Sequence, residues 1–390
     1  MPKRPEKISS PSTDQGSSEI KKTTQESSIT RREFLGATEG IFTSVALGKS
    51  KEVEVWFNQL VGQTEKARGA GRKIRFEILY TPHTSRKYLE GFREKVERAD
   101  IYIPEALGWD QELAVDFQAV ANGTMRPDEF FKKRGWHSKN RPYYSFELAE
   151  LEYIHGSGKF VRFIDAPLES ELFNRYIEIK SRADKLDLMQ NSENLIDAFK
   201  EFIRDSAILH KEREQYMLSK LKILSDDISH GRISGLQTTR EPRILLNLGA
   251  GHTGIYHELV KSGNEASRSF NPMPYIFSFP ATEMIRRYLF DKEVSEELAI
   301  RTLAGLVLSS ALTTEFTWPS EDILTRDIFI KKAVNKLSIH DIKEGFGQTR
   351  TSSQPSWVLV ASLLINKLSK RGIYIPKSEK ELDDFLHSQP

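Results

Sequence analysis

Short apolar runs alternate along this chain with longer stretches in which apolar residues recur every three or four positions. Ile74–Leu79 is an apolar run bounded by basic residues and by Thr81-Pro82, and it predicts a strand. Ser85–Arg98 follows with Tyr88, Leu89, Phe92 and Val96 at helical spacing. Ile101–Ile103 predicts a second strand, Trp109–Ala121 a helix with Leu113, Phe117 and Val120 on one face, Phe146–His155 another helix, and Phe160–Ile164 a third strand. A long helical pattern runs from Leu168 to Ile228 and breaks near Asn191-Ser192, where Ser192 can cap a new helix. Ile244–Leu248 predicts a fourth strand, Gly254–Lys261 a helix, and Tyr275–Ser278 a fifth strand. From Ala281 onward the pattern is mostly helical.

Strands alternating with helices predict an α/β fold: a mostly parallel sheet with helices on both faces, a long helical insert and a C-terminal helical extension. The expected divisions are a polar tail over 1–50, an α/β core over 51–280 with the helical insert at 168–230, and the extension over 281–390. No repeat of 20–50 residues is present. The first 30 residues are rich in Ser, Thr, Lys and Glu and predict a disordered tail, because they offer too little apolar surface to offset ordering. Thr30-Arg31-Arg32-Glu33-Phe34-Leu35-Gly36 is similar to a twin-arginine export signal. Against that, Glu39 interrupts the apolar stretch, and Thr30 with Glu33 also reads as an ordinary capping box. The expected location is therefore cytoplasmic, with export through residues 30–48 as the alternative.

Composition narrows the chemistry. The 390 residues carry 57 Lys+Arg against 55 Asp+Glu, so the molecule as a whole does not read as an electrostatic binder of nucleic acid. The small excess lies in residues 1–50, which hold eight basic and six acidic side chains. With no Cys, disulfides, Cys-ligated zinc, iron–sulfur clusters and a cysteine nucleophile are excluded. No apolar run approaches the ~20 residues of a spanning helix.

In parallel α/β sheets, ligands bind at the carboxyl ends of the strands. The expected strands lead into His83, Glu105, Asp165 and His252. The segments Phe76–Thr84 and Leu245–Thr253 are alike: an apolar run, a short turn, then His-Thr. Two imidazoles therefore sit just past strand ends at the same height, and they converge if the strands are neighbours. Taken singly, each residue also reads as a cap, a turn former or a solvated loop group; the conjunction is what marks a site. Gly249 and Gly251 let backbone approach a ligand and point helix N–H groups at an anion. Neither a dinucleotide fingerprint nor a P-loop is present, and there is no Gly-x-Ser-x-Gly elbow.

His83, Glu105 and Gly249-x-x-His252, with Arg213-Glu214-Gln215-Tyr216-Met217 on the intervening helix, together resemble the superfamily of erythromycin esterases, ChaN-like proteins and TraB/Tiki proteins. The resemblance spans about half the chain. It departs from the family in the turn Tyr80-Thr81-Pro82 before the first His, and the insert over 122–144 has no counterpart. The resemblance implies a site of His83, Glu105, His252 and Arg213 acting on a small-molecule or peptide substrate. Arg213 is then expected to face the site with Met217 packed beneath it. Glu214, about 100° away on the helix, is expected to contribute less.

On this reading His83 is a general base toward water, oriented by Glu105. His252, Arg213 and the Gly249–Gly251 backbone meet the developing oxyanion, and Asp165 and Glu214 are further substrate-binding candidates. A second version makes His83, Glu105 and His252 the ligands of a divalent transition metal, as in the metal-dependent peptidases of the Tiki branch. A third is binding of a haem-like ligand or a regulatory role without catalysis. The aromatic residues Trp136, Tyr143, Tyr144 and Phe146 suit a ring-bearing ligand or a core. His137 could belong to a lid, and His155, His210, His230, His340 and His387 show no constellation in sequence.

Overall fold

A computed structural model describes residues 73–136, 143–188, 194–236, 241–270, 281–314, 318–320, 323–348 and 357–388. The expected tail over 1–50, the twin-arginine-like segment, His137, the Ser192 cap and the strand at Tyr275–Ser278 lie outside the described residues.

Five strands form one sheet: β1 (Arg75–Thr81), β2 (Ile101–Pro104), β3 (Phe160–Val161), β4 (Arg243–Gly249) and β5 (Glu265–Phe270). Their spatial order is β3-β2-β4-β1-β5, and every pairing is parallel. β4 returns between β2 and β1, so the two His-bearing strand ends are neighbours, with Thr81 opposite Gly249. β5 was not anticipated. Its sequence Glu265-Ala266-Ser267-Arg268-Ser269-Phe270 has no apolar run, and β5 pairs along one edge only.

Strand residues alternate between the two faces, as a period of two requires. On one face Leu79, Tyr102, Val161 and Leu245 pack under α1 (Phe92–Arg98), α2 (Gln111–Ala121), α3 (Pro127–Lys133) and α4 (Tyr144–Ile154). On the other, Phe76, Ile78, Tyr80, Ile244, Leu246 and Leu248 pack against two later helices. These are the second half of α6 (Leu195–Ser229) and α7 (Thr253–Lys261). The expected α/β sheet with helices on both faces is what the chain forms. α2 starts where Asp110 accepts a hydrogen bond from Leu113 N at 2.6 Å, an N-cap satisfying an otherwise orphaned amide.

The insert over 122–144 contributes core. Trp136 and Tyr144 pack against Phe130 and Phe131 of α3.

The long helical pattern divides into α5 (Glu171–Leu188) and α6. The C-terminal region adds α8 (Thr282–Leu289), α9 (Glu296–Thr314), α10 (Ile323–Lys336), α11 (Ile339–Gln348), α12 (Trp357–Ser369) and α13 (Glu379–Ser388). These helices share an apolar cluster with Ile179 and Leu186 of α5 and with Leu195, Phe199, Phe202, Ile203, Ala207 and Leu209 of α6. The packing boundary therefore falls inside the segment expected as an insert of the α/β core, at the middle of α6. No described helix is long and apolar enough to cross a membrane.

Candidate functional site

The strand ends and the middle of α6 meet in one buried cluster. β2 delivers Glu105, whose N–H donates to Asn247 O at 3.1 Å, and β4 delivers Gly249 and the turn to His252. The loop after β3 delivers Asp165. α6 reaches over from the other side with His210 and, one turn on, the adjacent Arg213 and Glu214. His252 has no exposed surface, and Asp165, His210, Arg213 and Glu214 are 5% exposed or less.

Arg213 holds the two acids together. Its Nε donates to Asp165 Oδ1 at 2.8 Å, and its Nη2 donates to Asp165 Oδ2 and, at 2.8 Å, to Glu105 Oε1. This is a bidentate fork on Asp165 with one arm shared. Glu105 Oε2 accepts from Gly249 N at 2.5 Å, and Glu105 Oε1 lies 3.1 Å from His252 Nε2. On its far side, His252 Nδ1 stands 3.5 Å from Glu214 Oε1. The His210 ring stacks on His252 at 4.7 Å between centroids, and its Nε2 donates to Gly251 O at 3.2 Å. Tyr80 donates its hydroxyl to His252 O at 3.1 Å.

Electrostatics follow from this order. Burial alone would push the His252 imidazole down, but the Glu105 carboxylate and the Glu214 contact raise it to about 9. Burial would raise Glu105, yet His252 and Arg213 hold it well below the usual carboxylate range. Glu214 goes the other way: burial raises it, against the pull of His252 and Arg213. His210 is pushed well below the ordinary imidazole range by burial and by the His252 and Arg213 charges. The cluster thus favours a charged His252 against a charged Glu105, and a neutral His210 beside them.

His83 stands at the rim. It adopts φ 54°, a left-handed conformation uncommon outside glycine, directly after Thr81-Pro82 ends β1. Its ring stacks on Phe146 of α4 at 4.7 Å. Its Nε2 is buried without a hydrogen-bond partner among the described residues. Burial lowers its pKa, Glu105 raises it, and His252 and Arg213 lower it again, with a net downward shift.

Several expectations change here. Glu105 does not orient His83; its oxygens are engaged by Arg213, His252 and Gly249, and Phe146 holds the His83 ring instead. The Gly249 N–H, expected to face an oxyanion, holds Glu105, and the Gly251 carbonyl receives His210. Asp165, expected to touch substrate, anchors Arg213 and accepts from Ala166 N at 2.8 Å. Arg213 and Glu214 both enter the cluster, with Met217 fully buried one turn on.

His210 was missed. The signal available was its i, i+4 spacing to Glu214, which places both on one helix face. His257 is exposed beside Arg268 and takes no part.

The expected metal set of His83, Glu105 and His252 is not the group whose donors converge. That group, among the described residues, is His210, Glu214 and His252, each offering one ligand atom within 4.8 Å of the others. These residues could hold a metal ion, and their chemistry fits one. Both Glu214 oxygens and His252 Nδ1 are buried without a hydrogen-bond partner. Two imidazoles and a carboxylate are a transition-metal donor set. Glu105 on His252 Nε2 would fix the ring that presents Nδ1, as carboxylates do behind metal-bound imidazoles. Beside His210 and Arg213 lies a void of about 10 Å³ lined by Leu107, Leu172, Tyr176 and Leu209, room for about one water.

Compared with known proteins, the chain matches no family model, and no curated protein and no solved structure matches it.

Proposed function

We propose that this protein is a hydrolase that activates water for ester or amide cleavage at the carboxyl ends of β1, β2 and β4. One observation carries the reading: two imidazoles follow neighbouring, register-matched strands in opposite settings. His83 presents a buried nitrogen without a partner, and His252 is clasped between Glu105 and Glu214. Groups whose surroundings push their proton affinities apart mark acid–base roles. His83, kept neutral, is the general base toward water. His252 and Arg213 carry the positive charge that meets a developing oxyanion. Glu105 and Asp165 hold those two cations in place. Substrate enters from the side of His83, the more exposed of the two histidines. The resemblance to the erythromycin esterase and TraB/Tiki superfamily agrees with this chemistry.

A second reading is favoured by the convergence of His210, Glu214 and His252. There His210, Glu214 and His252 would hold a divalent transition metal, which would supply Lewis acidity when bound, and His83 would keep its place as the proton acceptor.

The test is a panel of aryl esters and peptide amides offered to the full chain and to His83→Ala, with elemental analysis of both proteins. Turnover that falls by ~10²-fold or more in the variant, with binding largely kept, supports the assignment of His83. Turnover equal in both proteins refutes it. Stoichiometric metal, with activity lost to a chelator, selects the second reading over the first.

A further inference from the structure

The sheet face opposite α6 carries a second buried polar cluster, which the hydrolytic scheme does not use. Glu150 projects from the middle of α4 and is 7% exposed. Its Oε1 accepts from the Tyr102 hydroxyl on β2 and from Asn247 Nδ2 on β4 at 2.7 Å. Asn247 Oδ1 in turn accepts from Thr81 Oγ1 on β1 at 3.1 Å. One carboxyl group therefore ties together the three central strands just short of their carboxyl ends.

Each tie leads to the candidate site by a short path. Thr81 lies two residues before His83. Asn247 lies two residues before Gly249, whose N–H holds Glu105, and the Asn247 carbonyl accepts the Glu105 N–H. Phe146, one helical turn before Glu150, is the ring stacked on His83. Core packing does not ask for a carboxyl group here, since a buried acid costs stability that an apolar residue of similar volume would not.

We infer that Glu150 is a positioning residue: gain or loss of its proton loosens or tightens the tie across β1, β2 and β4 and so adjusts His83 and Glu105, an inference that rests on reading those residues as the site. The ionised carboxylate takes charge-assisted hydrogen bonds from Tyr102 and Asn247, and the protonated acid takes weaker ones. Burial raises the Glu150 pKa to about 7, the Tyr102 and Asn247 hydrogen bonds oppose the rise, and Glu147 and Glu105 add to it. The proton therefore changes hands near neutrality.

Several charged groups of α4 and of the elements packed on it have partners other than Glu150, and the Arg93 guanidinium of α1 lies over the Tyr153 ring. Arg86, on the turn before α1, pairs with Glu152, and Lys95 of α1 pairs with Glu77. Asp116 of α2 pairs with Lys133 and Arg134. Tyr102 is pushed well above its ordinary range by burial and by Glu150, and it stays a donor throughout.

The experiment is NMR of the full chain labelled in its histidine rings, followed from pH 5 to 9. The His83 signal is assigned by its loss in His83→Gln. Wild type is expected to show an inflection of the His83 signal near pH 7, separate from the ring's own titration at lower pH. Glu150→Gln keeps the acceptor oxygen and removes the charge, and it should abolish that inflection. Tyr102→Phe removes one donor to the carboxylate and should move the inflection to higher pH. A wild-type signal without the inflection, an inflection that survives in Glu150→Gln, or one unmoved in Tyr102→Phe overturns the inference. Because the readout is a chemical shift, it is independent of turnover. An inactive protein with the coupling intact counts against the hydrolytic reading alone, and an active one without the coupling counts against the role of Glu150 alone.

Discussion

Arg213 and Glu214 are adjacent in sequence, and side chains one residue apart on a helix diverge by about 100°. Both reach the same cluster because His252 lies between them: Arg213 shares Glu105 with one ring nitrogen, and Glu214 approaches the other. The argument for Glu150 is of the same grain and carries a stability prediction. Its carboxyl goes from an ordinary 4.5 to about 7 on folding. The folded state therefore binds more protons than the unfolded state between those values. The stability contribution is fully present below the unfolded pKa and is lost as pH rises through the folded one. At about 1.4 kcal/mol per unit the loss is on the order of 3 kcal/mol. Glu150→Gln escapes it, so urea melts should show the variant gaining on wild type between pH 4.5 and pH 8. A gap that stays constant with pH would contradict the buried, proton-linked state of Glu150. What sequence revealed at this scale were the residues placed directly after apolar runs: His83, Glu105, Asp165 and His252. His210 and Glu150 sit in mid-helix, and their partners Gly251, Tyr102 and Asn247 are remote in sequence, so no local pattern exposes them.

At the level of elements, Glu105 and Asp165 meet because two loops are stitched together. Gly108 N donates to Ala166 O at 2.8 Å, Leu168 N donates to Trp109 O at 2.8 Å, and the Trp109 indole donates to Asp165 O at 2.7 Å. Glu105 and Asp165 emerge from this seam onto the same guanidinium. Gly108 is required at its centre. It holds φ +77°, and a Cβ there would lie 2.2 Å from the Phe173 ring of α5. Gly108→Ala should cost roughly 1–3 kcal/mol from backbone strain, with the displaced ring in addition. It should also disturb the histidine ring signals of His252, because Glu105 moves with the seam. A melt identical to wild type would show that the loop relaxes freely. The strands that feed these loops were legible from their apolar runs and the helices from their three-to-four spacing. β5 was not, because an edge strand of Ser, Arg and Glu buries little and carries no apolar pattern.

Across the whole molecule, α6 is the member that both halves share. Its 35 residues span about 52 Å at 1.5 Å per residue. Leu195 to Leu209 pack into the C-terminal helical cluster, Met217 to Ile228 pack under the sheet, and His210, Arg213 and Glu214 occupy the joint. This division by packing falls within one helix, and a continuous helical period does not say which neighbour each turn packs against. A helix that belongs to two cores links their stability. Unfolding the C-terminal helices would bare Phe199, Phe202 and Ile203, all 2% exposed or less, and fray the helix back toward the site. The sheet would then lose the scaffold that brings Arg213 to Glu105 and Asp165. Native-state hydrogen exchange measures this directly, because amides that open together share one free energy. Amides of Leu303–Leu308 in α9 and of Leu245–Leu248 in β4 should exchange with the same value. Phe199→Ala should lower both by about 3–5 kcal/mol, the cost of a large cavity in a packed core. If only the α9 value fell, the sheet and the site on it would stand without the helical region, and α6 would be a tether between two independent units.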